Sequence, residues 1–164
     1  MTEQIQTPSV DAIASRREDI FVSVCFSDLI SANSFDEIGN LAKSVALKYR
    51  YWEILIVVDA AAAQDFQPLM QAVENIRMIK VRTGVQPYQR RVIAALEAIG
   101  DIVLLSSVHE IQALNLVDMI EQARRENSVV IGIREQSTML NPAILALGNI
   151  SGFRATARDM ASAA

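Results

Sequence analysis

Residues 53–59 read EILIVVD, Glu53 through Asp59, an unbroken apolar run from Ile54 to Val58 closed at each end by an acid. A run of that length with no polar alternation suits a strand buried on both faces, as in a parallel sheet covered by helices. Working outward, similar runs recur at Ile20–Phe26 (IFVSVCF), Ile76–Arg82, Ile102–Ser107 and Val129–Arg134 (VVIGIR). The third is less apolar, which suits a place nearer a sheet edge. Amphipathic stretches separate them. Ser34 and Glu37 have the spacing of a capping box, and the helix after them brings Phe35, Ile38, Leu41, Ala42 and Val45 to one face. Further helices are expected over Gln64–Asn75, over Pro87–Ile99, where proline opens the first turn at no hydrogen-bond cost, and over Leu114–Glu126. Short helices around Pro142–Leu147 and Thr156–Ala163 complete the expectation. The order βαβαβαβαβ with short connections implies an α/β fold with a mostly parallel sheet between layers of helix.

The 164 residues are enough for one domain with a real core. About half of them, 51%, are apolar, but in short runs. None reaches the roughly 18–20 residues of a membrane span, and the first twenty residues lack the apolar centre of a signal peptide. A cytoplasmic location without a transmembrane segment is the expectation. The single cysteine, Cys25, can form no internal disulfide and reads as a buried hydrophobe. A formal charge of −4 without a basic stripe argues against a nucleic-acid partner.

Open parallel sheets bind ligands at the carboxyl ends of their strands. Here those ends carry Ser27 and Asp28, Asp59, Arg82, Ser106 through Glu110, and Arg134. Asp59 emerges at the rim either as a ligand contact or as a cap for the next helix. His109, the only histidine, stands beside Glu110, as an exposed loop pair or as two metal ligands. Arg90 and Arg91 read as a solvated helix face or, with Arg82, as phosphate contacts. SDLISANS follows the first strand where a dinucleotide site would need G-x-G-x-x-G, and neither a P-loop nor a G-x-S-x-G elbow occurs.

Several segments together resemble the family 2 glycosyltransferases of the GT-A fold, especially the polyprenyl-phosphate sugar synthases. FVSVCFSD stands at the family's first strand and Pro-x-Tyr-Asn-Glu turn, and YWEILIVVDAAAAQD at its strand ending in Asp-Asp-Gly-Ser. QRRVIAALEAIGDIVLL is similar to the helix that ends in Gly-Asp. SSVHEIQ stands at the Asp-x-Asp motif, ENSVVIGIR at the strand ending in Gly-x-Arg, and SGFRATARDM at the later Gly-Phe-Arg stretch. The resemblance runs from about Phe21 to Arg158. It implies a Rossmann-like GT-A, nucleotide-diphospho-sugar transferase fold, a three-layer sandwich. It divides the chain into a flexible leader (1–18), a nucleotide-sugar-binding-like domain (19–135) and a truncated acceptor-side segment (136–164).

The resemblance further implies a nucleotide sugar as ligand, contacted by Asp28, Asp59 and Arg82. It implies a divalent metal, Mn or Mg, at His109 or Glu110, and phosphate contacts from Arg154 and Arg158. It assigns no catalytic residue. Departures from the family pattern are large: Asp-Asp-Gly-Ser is Asp59 followed by three alanines, and the Asp-x-Asp position reads either Ser107-Val108-His109 or Val108-His109-Glu110. Loss of one group that answers developing charge costs on the order of 10²–10³ in rate. Two functions therefore stand open. One is a glycosyltransferase with impaired catalysis, passing a sugar from a nucleotide diphosphate to a lipid-phosphate or polysaccharide acceptor in envelope or polysaccharide biosynthesis. The alternative is a non-catalytic binding or assembly module, with a homo-oligomer or another protein as partner.

Overall fold

The computed structural model describes residues 16–27, 34–108, 111, 115–126, 129–132 and 144–147. The elements run β1 (Arg17–Phe26), α1 (Phe35–Lys48), β2 (Tyr49–Asp59), a 3-10 helix (Ala60–Phe66), α2 (Gln67–Ala72), β3 (Ile76–Val81), α3 (Pro87–Glu97), β4 (Ile102–Ser106), α4 (Leu116–Glu126), β5 (Val129–Gly132) and β6 (Ile144–Leu147). They build one sheet in the order β3-β2-β1-β4-β6-β5. β3, β2, β1 and β4 are parallel, with Phe26 level with Ile56 on one side and Ser106 on the other. Their carboxyl ends therefore share one rim.

The runs of apolar residues divide by parity between two faces, as period 2 requires. Val22, Val24, Phe26, Ile54, Ile56, Val58 and Leu104 point to a layer made by α1, α2, the 3-10 helix and α4. Cys25, Leu55, Val57, Val103 and Leu105 point the other way, onto Ala94, Ala95 and Ala98 at α3. The fold is thus the expected three-layer α/β sandwich with a mostly parallel sheet. Cys25 is buried, as its neighbours suggested.

Several local expectations need correction. Ile144–Leu147 is a strand, not a helix, and it inserts antiparallel between β4 and β5. β5 therefore does not join β4 directly. Pairing with two exposed strand edges outweighs the helix preference of its Ala and Leu residues. The stretch expected as one helix from Gln64 is a 3-10 helix from Ala60 followed by the six-residue α2. Pro68 stands at the start of that short helix. Ser34 occupies the cap position of α1 in a helical backbone conformation and makes no side-chain cap hydrogen bond, so the capping box is not formed there. Of the leader expected over 1–18, residues 1–15 lie outside the described residues, as does the helix expected over Thr156–Ala163, but β1 begins at Arg17, inside that expected leader.

The sheet's amino edge is held by polar groups. Glu53, 5% exposed, accepts from Ser23 Oγ (2.7 Å), Arg77 Nε (3.1 Å) and the Ile99 amide (3.0 Å). Ser23 Oγ in turn accepts from the Gly100 amide at 2.9 Å. Arg77 also donates to the Glu97 carbonyl. A buried carboxylate is tolerable only when so satisfied, and this one ties β1, β2, β3 and the end of α3 together. Asp101 accepts from the Phe21 amide at 2.8 Å, which explains why Gly100-Asp101 can turn directly into β4.

Candidate functional site

At the carboxyl rim the polar groups converge on Asp59, the last residue of β2. Its Oδ1 accepts from the Ala61 amide (3.0 Å) and from Thr83 Oγ1 (2.8 Å). Those two hydrogen bonds hold its carboxyl below the ordinary carboxylate value against the opposing effect of burial, and the Arg90 charge adds a smaller contribution in the same direction. Asp59 is thus both a cap for the 3-10 helix and a strut to the loop after β3. Gly84 turns that loop with φ at +91°, the left-handed region that glycine enters without strain.

Arg90 comes to the same place from α3. It is only 9% exposed, because Arg90, Ala94 and Ala98 follow at four-residue intervals on the buried side of α3. Its Nε donates to the Val85 carbonyl at 3.1 Å, and its Nη2 lies 4.0 Å from Asp59 Oδ2. The expectation of a solvated face is therefore wrong for Arg90. The spacing to the two alanines is the signal that marks it as inward. Arg82 is exposed just beyond β3, and Ser27, Ser106 and Ser107 are buried at the ends of β1 and β4. Of the residues expected at the site, the structure brings Asp59 to the rim and leaves Arg82 exposed past the neighbouring strand. Asp28, His109, Glu110, Arg134, Arg154 and Arg158 lie outside the described residues.

One similar chain is a crystal structure of 4-diphosphocytidyl-2C-methyl-D-erythritol synthase from Anaerococcus prevotii DSM 20548, with a TM-score of 0.57 at 15% identity, covering 87% of this chain and 77% of that one. The fold is GT-A-like. At that identity the likeness concerns architecture alone. No family model matches the chain, and no curated protein matches it in sequence. Among the described residues no helix is long and apolar enough to cross a membrane.

The described rim residues do not fit a divalent metal. Oδ1 of Asp59 already serves two donors, and Oδ2 faces a guanidinium. Val108, which stands at the Asp-x-Asp position, is buried in the core at 2% exposure. Among the described residues no three His, Cys, Asp or Glu side chains come together as a ligand set.

A groove of about 680 Å³ lies elsewhere. It runs between α1 and α2 over Trp52, with Gly39, Ala42, Leu69 and Val73 among its walls, and shares no residue with the Asp59 cluster. Its lining is mainly apolar, with Asp36, Asn40, Lys43 and Glu74 also among its walls. The rim is the better candidate, because polar side chains from three separate segments meet there.

Proposed function

We propose that the chain is a nucleotide-binding domain of the nucleotide-diphospho-sugar transferase type, with its ligand at the carboxyl rim around Asp59. The observation that carries this reading is the meeting of Asp59, Thr83 and Arg90 at the end of β2, where open α/β sheets take their ligands. Support comes from the fold shared with an enzyme whose name specifies a diphosphocytidyl product. In this reading Asp59 and Arg82, with Asp28, contact the nucleotide, and Arg154 and Arg158 contact phosphates. The group transferred is a sugar, and the acceptor a lipid phosphate or polysaccharide. Catalysis is impaired, because the acids that would answer leaving-group charge are replaced.

The second reading, a non-catalytic binding or assembly module, is favoured by one specific observation. Val108 packs in the core where an active relative would present an acid in one of the two alignments, and Asp59 is engaged by its own fold. Calorimetry with CDP, UDP, GDP and their sugars separates the cases. The nucleotide reading expects at least one to bind with Kd of about 1 mM or tighter. Flat traces for all of them would leave only the module. Binding without any turnover of the sugar nucleotide would assign a nucleotide-binding domain that has lost transfer.

A further inference from the structure

A guanidinium carries five N–H donors in a rigid plane, and burying them unpaired is costly. Among the described residues Arg90 uses one: Nε donates to the Val85 carbonyl. Its Nη2 approaches Asp59 Oδ2 only to 4.0 Å, beyond hydrogen-bond reach. The terminal fork of this largely buried residue therefore has no acceptor at hydrogen-bond distance among the described residues and is left to water or a ligand at the rim where a ligand is expected. Asp59 attracts the fork by charge but does not saturate it: its Oδ1 is taken by Ala61 and Thr83, and its Oδ2 stands 4.0 Å from Nη2. Nor is Asp59 placed to hold a cation. A divalent ion on Oδ2 would lie roughly 2.0–2.6 Å from that oxygen and share it with the Arg90 charge.

We propose that this rim binds the anionic part of its ligand without a divalent cation, the forked donors of Arg90 standing where a metal would otherwise supply positive charge. The proposal rests on the nucleotide reading above and deepens it. A planar fork suits phosphate oxygens, which accept two parallel N–H bonds. Arg82, exposed at the end of β3, is placed to add a second, weaker contact.

The test is calorimetry on the whole chain, with CDP and UDP each titrated in excess EDTA and again in excess manganese chloride. Affinity is expected to agree within about threefold between the two buffers. A loss of about tenfold or more in EDTA, restored by manganese, overturns the proposal and leaves the nucleotide reading intact. Absence of binding in both buffers overturns the nucleotide reading and this inference with it. Arg90→Gln is expected to weaken binding about tenfold or more in both buffers, and unchanged affinity would remove Arg90 from the site. Where that variant does not fold, Arg90→Lys keeps the charge without the fork and carries the same expectation. The EDTA comparison needs no variant at all.

Discussion

Gly100 sits where a side chain has no room. A Cβ there would stand 2.7 Å from the Ser23 amide nitrogen, 2.8 Å from Ser23 Oγ and 2.9 Å from the Phe21 carbonyl oxygen. Two of those atoms are backbone of a central strand and cannot swing aside. Gly100→Ala is therefore expected to destabilise the fold by about 1–3 kcal/mol, the usual cost of overpacking, read from the midpoint of urea unfolding. A midpoint equal to that of the parent would show that β1 yields more easily than its position implies. At this scale the sequence was legible in part. Asp59 announced itself by ending an apolar run, and Gly100-Asp101 by preceding one. The role of Glu53 did not, because an acid at the start of a strand usually meets water, and its burial depends on Ser23, Arg77 and Ile99 arriving from three other segments. Arg90 was hidden by its own residue type, since an arginine pair in a helix usually lies on the wet side.

At the scale of elements, the junction of β2 with α4 depends on one polar contact. Tyr49 opens β2 fully buried, and its hydroxyl donates to Glu121 Oε1 at 2.7 Å. Arg17 Nε and Arg124 Nη2 lie 3.2 and 3.4 Å from the same carboxylate. Burial alone would push the Glu121 carboxyl up, but the Tyr49 hydroxyl and the charges of Arg17, Lys48 and Arg124 together hold it below its ordinary value. Burial and the Glu121 carboxylate push the Tyr49 phenol well up. The signs follow from linkage. A depressed carboxyl stabilises the fold above its unfolded value, about 4.3, and that stability is lost as pH falls through the lower folded value. A raised phenol stabilises the fold below about pH 10, and the benefit fades as pH climbs beyond it. Glu121→Gln is expected to lower stability by about 1–3 kcal/mol at neutral pH and to flatten the acid limb of a urea-midpoint curve between pH 7 and 3. A parallel downward shift with no change in slope would refute the role of the charge.

The same scale shows where the sequence stopped being readable. The long apolar runs fixed β1, β2 and β4 because burial on both faces leaves a continuous pattern. β6 left none. Three of its four residues are alanine or leucine, which favour helix, and the gap between β4 and β5 makes them a strand. The 3-10 helix was missed for a related reason. The expected helix begins only at Gln64, but Asp59 accepts from the second amide after it and starts a tighter turn at Ala60.

At the scale of the molecule, the sheet ends at β3, whose outer side pairs with no described strand. Exposed edges invite pairing with other chains, and a charged residue on the edge discourages it. Lys80 is the exposed residue of that strand. Lys80→Ile is expected to raise self-association severalfold, measured by light scattering across a concentration series, with the monomer fold unchanged by circular dichroism. Scattering identical to the parent would mean that something else guards the edge.

The Glu53 latch gives the molecule unequal ends. Three strands and the close of a helix are cross-tied at the floor of the sheet, whereas the brim depends on a single carboxylate that braces two loops. Loosening should begin at the brim and spread downward, so a tenant at Asp59 would gain most by quieting fluctuations there. Hydrogen exchange would then slow at the Ala61 and Thr83 amides on occupancy, while amides around the floor stay as protected as before.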